Sequence, residues 1–290
     1  MTPSKNDPLR AAGIVGAGAM GRGIAHSFLR AGYSALLTDS SEKALASAQQ
    51  AIARGLDHDV EKGRITAKAK EQSLAALTMA PELVLMERAD FIIEAVTEKF
   101  EIKAEIFRRL AAIAPPDVVF ASNTSSISIT RLAAVSGRPH RFVGLHFFNP
   151  VPVMKLVEVV AGVETLPETV DQACALATAL GKTPIRANDS PGFISNRVLM
   201  PMINEAIYAV MEGVATPEAV DGVMRLGMNH PMGPLALADF IGLDVCLDIM
   251  KVLHDGFGDS KYRPCPLLER MVYAGRLGRK SGRGFYAYGS

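Results

Sequence analysis

A histidine and a glutamate stand in two apolar stretches of this sequence, where polar side chains are unusual. His146 ends the run Phe142–His146, and Glu158 interrupts the run Leu156–Val160. Burying a carboxylate in an apolar strand is costly unless the carboxylate is paired. His146 can be that partner if the segment Asn149–Pro152 turns the chain back, and a histidine oriented by a carboxylate can take a proton from a substrate. A structural histidine with satisfied hydrogen bonds is the alternative interpretation.

The segment Gly16–Gly21 matches the GxGxxG spacing of dinucleotide-binding turns. In such a turn Gly16 allows the tight bend and Gly18 lets a pyrophosphate approach the backbone, while Gly21 lets the following helix pack against the strand. Asp39 follows Gly21 by 18 residues, at the end of the next strand-like run. Its carboxylate can accept hydrogen bonds from ribose hydroxyls and would repel a 2′-phosphate, which favours NAD over NADP. A purely structural glycine turn is the alternative.

The elements that would position these residues alternate between strands and helices up to about residue 190. The strand-like runs are 10–15, 34–38, 91–96, 118–122, 142–146 and 156–160. Helical patterns follow the glycine turn to about residue 30, then cover 41–62, resume after 66, and cover 99–113 and 168–180. This alternation predicts an α/β fold with a Rossmann-like, doubly wound and mostly parallel sheet. Asn123–Ser126 follows a strand end of that sheet, where ligands of open α/β folds gather.

The pattern changes at Asp189–Gly192, and beyond it the sequence is helical. We therefore predict a dinucleotide-binding domain over residues 1–190 and an all-α domain over residues 191–290. The helical patterns of the second part are 193–212, 217–225, 234–253 and 265–274, and one strand-like run, 284–288, follows them. Methionines are frequent in this part, which indicates core filling, with an apolar subunit interface as the alternative.

Charge and cysteine content narrow the class of protein. The net charge of +1 gives no electrostatic reason to expect nucleic acid or an anionic membrane as a partner. Cys174, Cys246 and Cys265 are far apart, which indicates free thiols in a reducing compartment and argues against a metal site. Residues 1–8 show no apolar segment of a signal peptide, and no apolar run approaches the roughly 18 residues of a membrane span. We therefore predict a cytoplasmic protein.

Longer stretches resemble the L-3-hydroxyacyl-CoA dehydrogenase family, in its short-chain form that acts on 3-hydroxybutyryl-CoA. The most specific matching stretch is His146–Met154, with Lys155–Glu158 after it. Other matching stretches are Gly16–Ala25, Ile93–Glu98, Ser122–Ser126, Asp189–Phe193, Asn196–Arg197, Gly233–Pro234, Ala238–Asp239, Gly242–Asp244 and Gly278–Tyr286. The resemblance covers nearly the whole chain.

The resemblance implies an enzyme of fatty acid metabolism that interconverts (S)-3-hydroxyacyl-CoA and 3-oxoacyl-CoA with NAD and forms a homodimer through the helical domain. It makes His146 the general base and Glu158 its orienting partner, and it places Ser125 and Asn196 at the substrate oxygen. The positions that it assigns to the dinucleotide are Gly16, Gly18, Ala19, Met20, Gly21, Asp39, Glu98, Lys103, Ser125, Asn149 and Lys280.

The resemblance is least complete at the CoA moiety. Lys62 matches a basic residue near CoA at the end of a helical arm. The family often has a serine that contacts CoA about two helical turns before that lysine, whereas this chain has Arg54 and Gly55 there. The residues that bind CoA are therefore the part of the site that the sequence defines least.

Two related classes of enzyme are the alternatives. Gulonate-type dehydrogenases act on free hydroxy acids, but they usually lack the double phenylalanine that this chain has at Phe147 and Phe148. The 3-hydroxyisobutyrate type depends on a lysine in a glycine-rich helical motif, which we do not find. Of the two, the gulonate type stays open as the alternative function.

Overall fold

The structure is a computed structural model that describes residues 10–289. Its chain divides into two compact units, Met1–Asp189 (unit 1) and Ser190–Ser290 (unit 2), and we had expected a boundary at residue 190. The expectation about residues 1–8 lies outside the described residues. Among the described helices, none is both long enough and apolar enough to cross a membrane.

Unit 1 is built on an eight-stranded sheet of order β3-β2-β1-β4-β5-β6-β7-β8. The strands are β1 Ala11–Val15, β2 Ser34–Thr38, β3 Leu77–Ala80, β4 Phe91–Glu94, β5 Val119–Ser122, β6 Phe142–Phe147, β7 Leu156–Ala161 and β8 Thr183–Asn188. All neighbouring strands are parallel except β6 and β7, which are antiparallel. The mostly parallel, doubly wound sheet expected from the sequence is confirmed.

Helices flank this sheet and join its parallel strands. They are α1 Ala19–Arg30, α2 Glu42–Glu61, α3 Ala67–Ala75, α4 Phe100–Ile113, α5 Ile129–Val135 and α6 Pro167–Ala179. Three of them begin at hydroxyl caps, since Ser41, Thr66 and Ser128 each accept a hydrogen bond from a backbone N–H of the first turn. The central strands are buried among these helices, which explains their nearly continuous apolar runs.

The sequence interpretation missed β3, β8 and α5. Both missed strands are the outer strands of the sheet. Strand β8 exposes most of its residues and contains Pro184, which an edge strand tolerates because one side of it makes no ladder hydrogen bonds. These strands therefore lack the apolar run that marks a buried strand.

Unit 2 is helical, with its own core. Its helices are α7 Ser195–Met211, α8 Pro217–Leu226, α9 Pro234–Ile241, α10 Leu243–Phe257 and α11 Pro266–Tyr273. The interpretation of one helix over 234–253 was wrong, because Gly242 has φ 106° and separates α9 from α10. The expected strand at 284–288 was also wrong, because the backbone pairing of that segment is an isolated bridge of Ala287 with Arg283. Of the methionines expected to fill the core, Met200 and Met250 are buried in it, whereas Met228 is 61% exposed.

Candidate active site

The glycine turn lies at the carboxyl end of β1 and leads into α1. Gly16 has φ +107°, which favours glycine, and a Cβ on Gly21 would lie 1.8 Å from the carbonyl oxygen of Gly16. Around Gly18, by contrast, a Cβ would meet nothing within 4 Å. The turn therefore needs Gly16 and Gly21 for its own shape, and at Gly18 it leaves open space beside the start of a helix.

Asp39 follows β2 and faces the same cleft. Its Oδ2 accepts a hydrogen bond from Ala17 N at 2.8 Å, and its Oδ1 accepts one from Ser41 N at 2.9 Å. Asp39, Gly16 and Gly18 all line a cleft of 890 Å³. The open backbone at Gly18, the helix N-terminus beside it and a carboxylate at the end of the second strand fit a dinucleotide with unmodified ribose hydroxyls.

A buried ionic network lies where β4 and β5 end. Glu94 Oε1 accepts hydrogen bonds from Lys103 Nζ and from Val96 N, both at 2.7 Å, and Glu94 Oε2 accepts one from Ser122 Oγ at 2.6 Å. Lys103 is 1% exposed and also lies 3.2 Å from Glu98 Oε2. Burial raises the pKa of Glu94, although the charge of Lys103 opposes this effect. The Lys103 ammonium is therefore enclosed by two carboxylates.

Glu98 connects this network to the loop after β5. Its Oε1 accepts hydrogen bonds from Ser125 N at 2.9 Å and from Ser126 Oγ at 3.0 Å, and it lies 2.5 Å from Thr124 Oγ1. Burial alone would raise the pKa of Glu98, but the charge of Lys103 and these hydrogen bonds hold the pKa below its ordinary value. An ionised Glu98 thus fixes the loop that contains Ser125.

His146 and Glu158 face each other across the antiparallel pair β6 and β7. They are register partners, and His146 Nδ1 lies 2.7 Å from Glu158 Oε2. Both side chains are buried. The chain turns back between His146 and Glu158, as the sequence interpretation required. The Glu158 carboxylate, which lies in an apolar strand, therefore has His146 as its partner. Glu158 therefore engages the Nδ1 side of the His146 ring.

The backbone around His146 is held by side chains of neighbouring elements. Asn123 Oδ1 accepts a hydrogen bond from Phe147 N at 3.0 Å, which ties the end of β6 to the loop after β5. Asn149, the first residue after Phe148 in the connection to β7, is exposed. Further along the connection, the buried Lys182 donates hydrogen bonds to the carbonyl oxygens of Val151 and Met154. Arg30 of α1 donates to Pro152 O at 3.1 Å.

Three further residues were expected at the site. In unit 2, Asn196 is buried in the first turn of α7, and Lys280 donates to Asp244 Oδ2 at 2.6 Å. Lys62, in unit 1, is exposed at the C-terminal end of α2. Asn196 and Lys280 thus belong to unit 2, and Lys62 belongs to unit 1.

Sequence reasoning missed the buried charges that surround the site. Glu94 carries a readable signal, since a carboxylate ends the apolar run Phe91–Glu94 as Glu158 interrupts its own. Asp59 has no such signal, because it lies among polar residues in the sequence. Lys182 has none either, because it follows the turn at the end of α6, and only the tertiary structure buries it.

The doubly wound sheet, the glycine turn at β1 and the carboxylate after β2 define a dinucleotide-dependent dehydrogenase. Residues 11–190 match the model of the 3-hydroxyacyl-CoA dehydrogenase NAD binding domain, and residues 192–288 match that of the 3-hydroxyacyl-CoA dehydrogenase C-terminal domain. The chain belongs to the 3-hydroxyacyl-CoA dehydrogenase family, and its cofactor is NAD.

Individual relatives agree along the whole chain. It is 55% identical over 275 residues to a probable 3-hydroxybutyryl-CoA dehydrogenase of Bacillus subtilis, covering 95% of this chain and 96% of that one. It is 50% identical to a 3-hydroxybutyryl-CoA dehydrogenase of Bradyrhizobium diazoefficiens, covering 97% and 96%. The crystal structure of (S)-3-hydroxybutyryl-CoA dehydrogenase from Ralstonia eutropha superposes with a TM-score of 0.95 at 48% identity, covering 97% of this chain and 100% of that chain.

Proposed function

We propose that this chain interconverts (S)-3-hydroxybutyryl-CoA and its 3-oxo form, with His146 as the general base. The observation that carries the proposal is the hydrogen bond of 2.7 Å between buried His146 and Glu158 in a sheet of this family. Relatives of this chain are named for the same substrate over nearly their full lengths.

In the oxidative direction, neutral His146 accepts the proton of the 3-hydroxyl on Nε2. The cleft lined by Gly16, Gly18 and Asp39 would hold NAD, which would supply the acceptor for the hydride of C3. Glu158 keeps the Nδ1 proton of His146 in place and stabilises the imidazolium that forms, because its carboxylate is buried beside the ring. The oxygen of the substrate becomes a carbonyl, and the roles reverse for reduction.

The remaining residues bind and orient. Ser125, on the loop fixed by Glu98, and Asn196 hydrogen-bond the reacting oxygen. The dinucleotide is bound by Gly16, Gly18, Ala19, Met20, Gly21, Asp39, Glu98, Lys103, Ser125, Asn149 and Lys280. The ammonium of Lys103 lies between Glu94 and Glu98, so its contribution to binding the dinucleotide includes orienting Glu98. Lys62 attracts the CoA moiety.

Asp39 should set the choice of cofactor. Its carboxylate lines the cleft, so the extra phosphate of NADP would meet a like charge. We expect kcat/KM with NAD to exceed that with NADP by at least about a hundredfold, and Asp39→Ala to narrow this ratio. Equal use of both cofactors by the wild type would contradict this role for Asp39.

The substrate is tested by following NADH formation. We expect (S)-3-hydroxybutyryl-CoA to be oxidised far faster than free 3-hydroxybutyrate or L-gulonate, because binding of the remote CoA moiety helps to fix the reacting carbon. A longer 3-hydroxyacyl-CoA measures the preference for chain length. Activity on the free acid equal to that on the thioester would favour the gulonate type instead.

The assembly we propose is a homodimer that unit 2 mediates. Helix α8 and the residues after it expose apolar side chains, with Leu226 87% exposed and Val223 and Met228 more than half exposed. A partner subunit would cover them. Measurement of molar mass by light scattering tests this, with Leu226→Glu expected to shift the mass toward that of the monomer. We also propose a cytoplasmic location.

A further inference from the structure

A buried lysine that takes no part in the proton transfer holds the connection between β6 and β7. Lys182 follows α6 and is 6% exposed. Its Nζ donates hydrogen bonds to the carbonyl oxygen of Val151 and, at 2.7 Å, to that of Met154. Its backbone N–H donates to Ala177 O at 2.9 Å, which ties the lysine to the end of α6. One side chain thus joins α6 to two points of the connection.

The ammonium of Lys182 is buried among carbonyl oxygens rather than beside a carboxylate. Within residues 10–289 it makes no ion pair with an acidic side chain. Arg30 of α1, a second cation, donates to Pro152 O at 3.1 Å in the same connection. Burying an ammonium without a carboxylate partner costs stability, and an uncharged side chain of similar length would avoid that cost. A charge retained at such a cost indicates a function.

The part of the connection that Lys182 contacts is a hydrogen-bonded turn from Pro150 to Met154. The carbonyl oxygen of Pro150 accepts hydrogen bonds from the backbone N–H groups of Val153 at 2.9 Å and of Met154 at 3.0 Å. Val151, near the start of the turn, is buried. Because Lys182 donates to the carbonyls of Val151 and Met154, it holds the turn near both of its ends.

Asn149 lies between this turn and a second point where the chain is held. On the side of β6, the backbone N–H of Phe147 donates to Asn123 Oδ1 at 3.0 Å. On the other side, Pro150 begins the turn that Lys182 holds. Asn149 itself is exposed. The position of its side chain therefore depends on how the chain is held on either side of it.

We propose that Lys182 is a positioning residue, whose ammonium places the connection so that Asn149 can bind the dinucleotide. The inference rests on the proposed function, which assigns Asn149 to the dinucleotide, and it adds a residue that acts through Asn149. Loss of the ammonium would release the turn next to Asn149 at both of its ends. The affinity for NAD would then fall, although the glycine turn and Asp39 are unchanged.

Calorimetric titration with NAD alone measures this effect without turnover. We expect Lys182→Met to raise Kd for NAD about five- to tenfold, roughly the effect of losing one hydrogen bond to the ligand. Lys155→Met is the matched control, since Lys155 is an exposed lysine of the same connection, and it should leave Kd within about twofold of the wild type. A Kd for Lys182→Met that also stays within this range would overturn the proposal.

Combining two substitutions tests whether Lys182 acts through Asn149. Asn149→Ala should itself weaken NAD binding. Adding Lys182→Met to it should change Kd by less than about twofold, because the side chain to be positioned is already gone. A lysine that only stabilised the fold would weaken NAD binding by the same factor with and without Asn149, and that result would contradict a positioning role.

Lys182→Gln takes the place of Lys182→Met if the latter fails to fold. Glutamine keeps N–H donors but is shorter and uncharged, so it cannot replace the ammonium at both carbonyls. Kd for NAD should again rise, and the rise should again disappear when Asn149→Ala is added. An unchanged Kd in Lys182→Gln would count against the proposal in the same way.

The same titrations separate this inference from the proposed function. If Asn149→Ala binds NAD as tightly as the wild type, the contact assigned to Asn149 is wrong, and this inference fails with it. If Asn149→Ala binds NAD weakly but Lys182→Met binds it normally, only this inference is wrong. If the wild type fails to oxidise (S)-3-hydroxybutyryl-CoA but the expected differences in NAD binding are present, the proposed substrate is wrong and the role of Lys182 stands.

Discussion

Unit 1 buries two histidine–carboxylate pairs that are almost alike in geometry and differ in their surroundings. The nitrogen-to-oxygen distance is 2.7 Å between His146 and Glu158 and 2.8 Å between His26 and Asp59. The first pair joins neighbouring strands next to the loop after β5. The second joins two helices, and its carboxylate also pairs with arginines.

The difference shows that such a pair is not by itself a mark of proton transfer. Burial lowers the pKa of His26, even though Asp59 opposes the effect. Because Arg64 and Arg30 share the carboxylate, Asp59 is less able to stabilise an imidazolium at His26. We therefore assign chemistry to the pair on the strands and a structural role to the pair on the helices.

The largest loss of kcat should come from substitutions in the pair of His146 and Glu158, which we call the strand pair. Glu158→Gln keeps the shape of the side chain and removes its charge, so we expect the fold to survive while kcat falls about 10²–10⁴-fold. His146→Gln should lose at least as much, since the proton acceptor itself is gone. Asp59→Asn, the matching change in the other pair, should leave kcat within about threefold of the wild type.

The two residues of the strand pair should act as one unit. In the double variant His146→Gln, Glu158→Gln, the loss of kcat should be far smaller than the product of the two single losses. Circular dichroism checks that each variant is folded. Losses that multiply would mean that His146 and Glu158 act independently, and the assignment of chemistry to this pair would have to be withdrawn.

A smaller effect should come from Lys62, at the end of the helix that carries Asp59. Lys62→Glu reverses an exposed charge at the C-terminal end of α2, so we expect KM for 3-hydroxybutyryl-CoA to rise about tenfold while KM for NAD stays nearly constant. Steady-state kinetics with each substrate varied in turn measures both. A parallel rise in the two KM values would argue against a separate site for CoA on this face.

The last expected effect is on stability rather than on activity, and it concerns the buried Lys182. Burial, and then the charge of Arg30, lower the pKa of Lys182 from 10.5 to about 8. Below pH 8 the Lys182 amine is protonated in both the folded and the unfolded chain, so the unfavourable free energy of burying its ammonium group lowers the stability of the fold in full. Between pH 8 and 10.5 only the unfolded chain holds the proton, so this group makes stability rise with pH.

Lys182→Met should remove that rise. The free energy of unfolding of the variant, relative to the wild type, should fall by roughly 1–3 kcal/mol between pH 7 and pH 10. Urea denaturation of both proteins at the two pH values measures it, because titration of all other groups cancels in the comparison. A difference that does not change with pH would show that Lys182 is protonated in the fold throughout this range.

The sequence was sufficient to predict the buried central strands of the sheet, but it did not predict the two outer strands. Strands β1, β2, β4, β5, β6 and β7 could be predicted because burial on both faces demands apolar runs. The edge strands β3 and β8 bury less and carry no such run. The break at Gly242 was also hidden, since a single glycine inside a helical pattern is tolerated as often as it ends a helix.

The site residues also divide into those that the sequence could predict and those that it could not. The pair of His146 and Glu158 was predictable because each polar residue interrupts an apolar strand, and the antiparallel turn could be inferred from the prolines between them. The pair of His26 and Asp59 was not, because both residues lie on amphipathic helices where polar residues are ordinary. Only the packing of α1 on α2, with Gly55 between them, buries this second pair.

The ladder between β6 and β7 has a consequence for insertions and deletions. His146 and Glu158 meet because Leu145 pairs with Val159 and Phe147 with Val157, not because of the length of the connection between them. Residues added to that connection leave the ladder unchanged. Removing one residue from within either strand instead moves one of the two side chains to the opposite face of the sheet. The number of residues between histidine and glutamate is therefore not what aligns the pair. The connection is constrained instead by its own contacts, since Lys182 donates to the carbonyl oxygens of Val151 and Met154.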